Sequence, residues 1–154
     1  MASRNIALRV AGLAVLGMMA VVFTACGDHD PGAATPTPDT TSPEAVASRF
    51  FHWYASERNL GRDPIASGAI EGNADVTPGL RLALKSAAAG GQPGVDPMLC
   101  SMSIPHAFEL GKAEVSASSA EVTVGAESHA NVWRVELQKD GSAWKIHAIT
   151  CAVG

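Results

Sequence analysis

The stretch NVWRVELQKDGSAWKIHAITC, residues 131–151, constrains this 154-residue chain more than any other part of it. Apolar and polar side chains alternate on both sides of Asp140-Gly141, a favoured hairpin turn, so the segment reads as two antiparallel strands. Pairing outward from that turn sets Leu137 opposite Trp144, Glu136 opposite Lys145, Val135 opposite Ile146 and Trp133 opposite Ala148. Trp133, Val135, Leu137, Trp144 and Ile146 then share one face that must be covered, while Arg134, Glu136, Lys145 and His147 look the other way. Upstream, AEVSASSAEVTV alternates as well. It reads as two further strands joined at Ser118 and Ser119, with Val115 opposite Val122 and Ala113 opposite Val124.

The cover for that face lies earlier in the chain. In TSPEAVASRFFHWYASERNLG, Ser42 is placed to cap a helix, Pro43 suits its first position, Glu44 suits the positive end of its dipole, and Gly61 can end it. Val46, Phe50, Trp53, Tyr54 and Glu57 recur at helical spacing, with Ala47 and Phe51 beside them, so one face holds most of the protein's aromatic residues. A core-facing stripe is the ordinary reading, and an aromatic ligand box is the sharper one. Residues 62–75 are broken by Gly and Pro, and only PIASGAI offers a short helical turn. A second helix starts at Thr77 and Pro78, presents Leu80, Leu84 and Ala87 or Ala88 on one face, and stops at Gly90 and Gly91. Two or three helices followed by a curved antiparallel sheet of about four strands make an α+β domain.

The chain begins with a different kind of segment. Arg4 and Arg9 precede VAGLAVLGMMAVVFTA, a run of 16 uncharged residues, in the order of a secretory signal. A membrane-spanning helix takes about 20 apolar residues, and this run contains two glycines. Phe23 is bulky at a position where ordinary cleavage wants a small side chain, whereas FTAC places Ala25 directly before Cys26. This stretch resembles the lipobox of bacterial lipoproteins, with Phe23 standing where leucine is usual. The resemblance implies that residues 1–25 are a signal peptide and that Cys26 carries the lipid, on the outer face of a cell membrane or in the periplasm. The rival reading is an uncleaved anchor ending at Cys26. Residues 26–41 are rich in Pro, Thr, Gly and Asp and hold almost no large apolar side chain, so they are expected to serve as a flexible tether, leaving residues 42–154 as the domain. Asp28, His29 and Asp30 carry metal-ligating groups, but such a segment supplies nothing to fix a coordination geometry. Without residues 1–25 the chain keeps 9 of its 11 basic side chains against 15 acidic ones, a net charge of −6. That balance argues against nucleic acid as a partner.

With Cys26 assigned to lipid, Cys100 and Cys151 form an even pair in an exported chain and are expected to be disulfide-bonded. In the hairpin register above, Cys151 shares the parity of His147 and Ile149, on the face away from the core. The bridge then lies at the end or back of the sheet, unless a bulge changes the parity. A reactive thiol is the alternative use, without a Cys-x-x-Cys motif or a histidine partner to support it.

SPEAVASRFFHWY, DPMLCSMSIP and GSAWKIHAITC together resemble the landmarks of a bacterial family of exported proteins of unknown function with the nuclear transport factor 2-like, cystatin-like fold. The resemblance covers residues 42–154. It implies a cone with a cavity between sheet and helices, for which Phe50, Trp53, Tyr54, Trp133 and Trp144 are the candidate lining. It implies no activity. The sequence contains no Gly-x-Ser-x-Gly, phosphate loop, paired-histidine zinc helix or dinucleotide fingerprint, and neither catalytic nor metal residues are assigned. His52, His106, His129 and His147 are scattered without ligand spacing. Enzymes of related fold place an acid or base in the cavity, and the nearest groups here are Tyr54, His52 and Asp63. Two functions follow from these readings. One is a non-catalytic, lipid-anchored envelope protein that binds a small apolar ligand or another envelope protein, without a cofactor; the other is a small-molecule isomerase, cyclase or hydrolase using the same cavity.

Overall fold

The computed structural model describes residues 39–127 and 131–153. Cys26, the tether as far as residue 38, the Asp28-His29-Asp30 triplet and His129 lie outside them. Helix α1 (Pro43–Asn59) begins where Ser42 accepts from Ala45 N at 3.2 Å. It ends before Gly61, whose φ of 73° only glycine adopts freely. Helix α2 (Pro78–Gly90) repeats the device, with Thr77 Oγ1 accepting from Leu80 N at 3.3 Å. Between them, Ala69–Gly72 forms a 3-10 turn. Strands β1 (Phe108–Leu110), β2 (Glu114–Val115), β3 (Ser119–Ala126), β4 (Asn131–Asp140) and β5 (Ala143–Val153) follow.

The strands form one antiparallel sheet in the order β1-β3-β4-β5, with β2 also paired to β3. Helix α1 lies over β1, β3 and β5, and α2 lies against β5 and the 3-10 turn. This is an α+β fold of two helices on an open five-stranded sheet. The first hairpin is interrupted at Gly111 to Ala113, so Leu110 stands opposite Val124 and Val115 opposite Ala120, not Val122. Strand β1 lies before the AEVSASSAEVTV stretch that reads as strand in the sequence, and it brings the sheet to five strands.

The last hairpin also departs from its expected register. Asp140 pairs with Ala143 around Gly141 and Ser142, and Gly141 takes φ 63°. Leu137 therefore meets Ile146 and Lys139 meets Trp144. A bulge at His147 follows, since Glu136 pairs with Ala148 and the next partners are Val135 with Ile149 and Trp133 with Cys151. The inward face was read correctly up to Ile146. Beyond it the extra residue turns Ile149 and Cys151 towards the core, correcting their expected outward parity.

The core is built on the α1 stripe. Val46, Ala47, Phe50, Phe51, Tyr54 and Ala55 are buried and meet Val122, Val124, Trp133, Val135, Leu137 and Ile146 from the sheet. Phe51, Phe108 and Trp133 form an edge-to-face triad with centroids 5.3 to 5.9 Å apart, a favoured aromatic geometry. On α2 only Leu80 and Leu84 are buried; Ala87 and Ala88 are exposed because the last turn runs past the core.

Candidate functional site

Tyr54 is fully buried, and its hydroxyl lies 3.2 Å from both carboxylate oxygens of Asp96. Asp96 belongs to the Gly-rich segment between α2 and the sheet and is 5 % exposed. Its Oδ1 also accepts from Met98 N and Leu99 N at 2.9 Å, a local turn that the Asp-Pro sequence favours. Its Oδ2 lies 2.9 Å from Arg58 Nε, off hydrogen-bonding alignment, so that contact is electrostatic. Arg58 Nη1 reaches Asp63 Oδ2 at 3.1 Å, and Asp63 Oδ1 accepts from Ile65 N and Ala66 N. Burial, then the Asp96 charge, pushes the Tyr54 hydroxyl far above the usual tyrosine range. The group thus fastens two loops to α1, with Tyr54 and Asp96 buried and Arg58 and Asp63 partly exposed.

Sequence reasoning had paired Tyr54 with His52 and Asp63 around a cavity. Only Tyr54 and Asp63 come together, through Arg58. His52 is exposed on another side of α1, with its ring 5.7 Å from that of Phe108. Asp96 was missed, although an aspartate before proline in a loop is a recognisable turn-forming signal.

The five residues expected to line one cavity do not do so. Phe50, Tyr54 and Trp133 are fully buried in the core. Phe50 fills space between Phe51, Trp53 and Tyr54, with ring centroids 5.9 to 6.1 Å away. Trp53 borders a surface hollow with Glu57, Ala69, Gly72 and Asn73, and Trp144 borders another with Val46, Arg49, Asp75 and Arg81. Large aromatics on α1 and β4 interdigitate, and they use the volume that a cavity would have needed.

Cys100 and Cys151 are joined by a disulfide with Cα atoms 6.4 Å apart. The His147 bulge makes this pairing possible by turning Cys151 inward. The bridge pins the segment carrying Asp96 to the end of β5, and Cys100 N donates to Asp96 O at 2.7 Å. Among the described residues, no group of three or more His, Cys, Asp or Glu side chains is placed to hold a metal ion.

The remaining feature is the sheet's outer face, opposite the helices. Thr123, Arg134, Glu136, Gln138 and Thr150 are exposed there. The register sets Glu114 beside Glu121 and Glu121 beside Glu136, a row of carboxylates across β2, β3 and β4. Arg134 Nε meets Glu121 Oε1 at 3.1 Å. Like charges side by side on neighbouring strands oppose sheet formation, and the Arg134 pair offsets this in part at Glu121.

No protein-family model and no curated protein matches the sequence. Among solved structures the chain is similar to one chain of the crystal structure of the type VI native effector-immunity complex Tae3-Tai3 from Ralstonia pickettii. The TM-score is 0.56 at 23 % identity, covering 71 % of this chain and 94 % of that one. At that identity the likeness is one of fold.

Proposed function

We propose that this is a lipid-anchored, extracytoplasmic binding protein that engages another protein, without catalysis, through the outer face of its sheet. The observation that carries the reading is the one-sided architecture: both helices cover one face of the sheet and leave the other to solvent. The row Glu114, Glu121, Glu136 gives that face a chemistry, since a partner presenting Lys or Arg would relieve the like-charge contact and gain steering attraction. The similar chain comes from an effector-immunity complex, so a protein partner is in keeping with the fold. The lipid on Cys26 would hold the domain at the membrane surface, where such a partner is met.

Site-specific photo-crosslinking in the envelope tests this reading. A photoreactive residue at Thr123, on the outer face, should capture a discrete protein, and one at the exposed Ser86 of α2 should not. Glu136→Lys should reduce the capture at Thr123. Equal capture from both positions, or none from Thr123, would refute the proposal.

A further inference from the structure

The hollow beside Trp144 lies apart from the outer face and carries a different chemistry. Its volume is about 380 Å³, and Thr40, Val46, Arg49, Asp75, Arg81, Trp144 and Lys145 are among its lining. The start of α1, the segment before α2 and the β4–β5 turn meet there. The segment before α2 is held against β5 by Thr77 N donating to Ile146 O at 3.0 Å and Ile146 N to Asp75 O at 2.8 Å. Val46 and Trp144 supply a largely buried apolar wall. A concave apolar surface with a few convergent polar groups is the usual form of a small-molecule site, and the volume lies at the lower end of the range for such sites, about 300 to 1,000 Å³.

Three cations line the hollow against one carboxylate. Arg49 is spoken for: its Nε and Nη2 make a forked pair with Asp75 at 2.8 and 2.6 Å, and its Nη1 donates to Thr40 O. Lys145 is spoken for as well, by Asp140 Oδ2 at 2.5 Å. Asp39, near the rim, accepts from Thr41 N and Oγ1. Arg81 differs. Its Nη2 donates to the carbonyls of Asn73 and Val76 at 2.7 and 3.1 Å, and among the described residues its buried Nε meets no acceptor and its guanidinium forms no ion pair. Glu71 senses the Arg81 charge but is bonded to Lys85. The bonds of this partly buried guanidinium go to neutral carbonyls, and guanidinium is the side chain best suited to carboxylate and phosphate oxygens.

We infer that this hollow binds a small molecule carrying a carboxylate or phosphate on an apolar body, with the oxyanion on Arg81 and the body against Trp144 and Val46. Isothermal titration calorimetry of the full-length protein with phenyl phosphate, benzoate, benzyl alcohol and inorganic phosphate tests the assignment. Phenyl phosphate or benzoate should bind saturably at one site, while benzyl alcohol and inorganic phosphate bind at least tenfold more weakly. Arg81→Gln should weaken the anion at least tenfold. Because Arg81 also bonds the backbone, Thr40→Glu provides a second variant at an exposed position; it should weaken binding equally and leave the melting temperature unchanged. No saturable binding of either aromatic anion, equal binding of benzyl alcohol, equal binding of inorganic phosphate, or unchanged affinity in a folded Thr40→Glu protein would each overturn the assignment.

Discussion

At the scale of single residues, Asp96 does the most to set the loops around α1. It is a buried carboxylate, and its oxygens are shared between the Tyr54 hydroxyl, two backbone N–H groups and the Arg58 charge. A hydrogen bond to a charged group contributes about 1.5 to 3 kcal/mol, so Tyr54→Phe should destabilise the fold by that amount in chemical denaturation. The same bond makes stability pH-dependent in a definite direction. The Tyr54 hydroxyl is held above the usual tyrosine value of 10.0, so the folded state keeps a proton that the unfolded chain loses. Its contribution is therefore fully present below about pH 10 and lost as pH rises beyond, by up to about 1.4 kcal/mol per pH unit. Tyr54→Phe should flatten that alkaline slope. An unchanged slope would mean that the Tyr54 hydroxyl reaches solvent. Tyr54 was legible in the sequence because helical spacing placed it on the aromatic stripe. Its partner was not, because the contact joins positions 42 residues apart and only the local Asp-Pro turn is written in sequence.

At the scale of elements, capping chemistry made both helices legible, since Ser42-Pro43 and Thr77-Pro78 are local signals. Strands β2 to β5 were legible too, but β1 and the registers were not. Periodicity tells which side chains share a face only while the count is unbroken, and one extra residue inverts it. His147 is that residue. Deleting His147 should remove the bulge and leave Ile149 and Cys151 facing inward, with the disulfide intact. Deleting Thr150 should turn Cys151 outward, opposite the position of Arg134, and leave Cys100 and Cys151 as free thiols. Intact mass with and without thiol labelling separates the two cases, and a bridged Thr150 deletion would refute the bulge. Losing the bridge should also lower the melting temperature. A loop of 51 residues corresponds to about 4 kcal/mol in the chain-entropy picture, and the wild type should show the same drop on reduction.

At the scale of the whole molecule, the two faces of the sheet differ in chemistry. One side is packed by α1 and carries the stability; the other is polar, with a row of carboxylates in which Glu121 meets Arg134. On the proposed reading, a face open for binding is best served by a domain held where its partner passes, and this links the proposal to the first residues of the chain. A diacylglycerol thioether on Cys26 would supply two acyl chains, enough for stable attachment where one chain gives only marginal binding. The expected result is that Cys26→Ser abolishes incorporation of labelled fatty acid while the domain keeps its melting temperature. Loss of labelling together with loss of capture at Thr123 would tie the anchor to partner encounter, whereas capture that survives in the unlabelled variant would assign recognition to the sheet face alone. Continued labelling of Cys26→Ser would take Cys26 out of the account, whereas a wild type that takes up no label would leave the apolar run of residues 10–25 in the role of an uncleaved anchor.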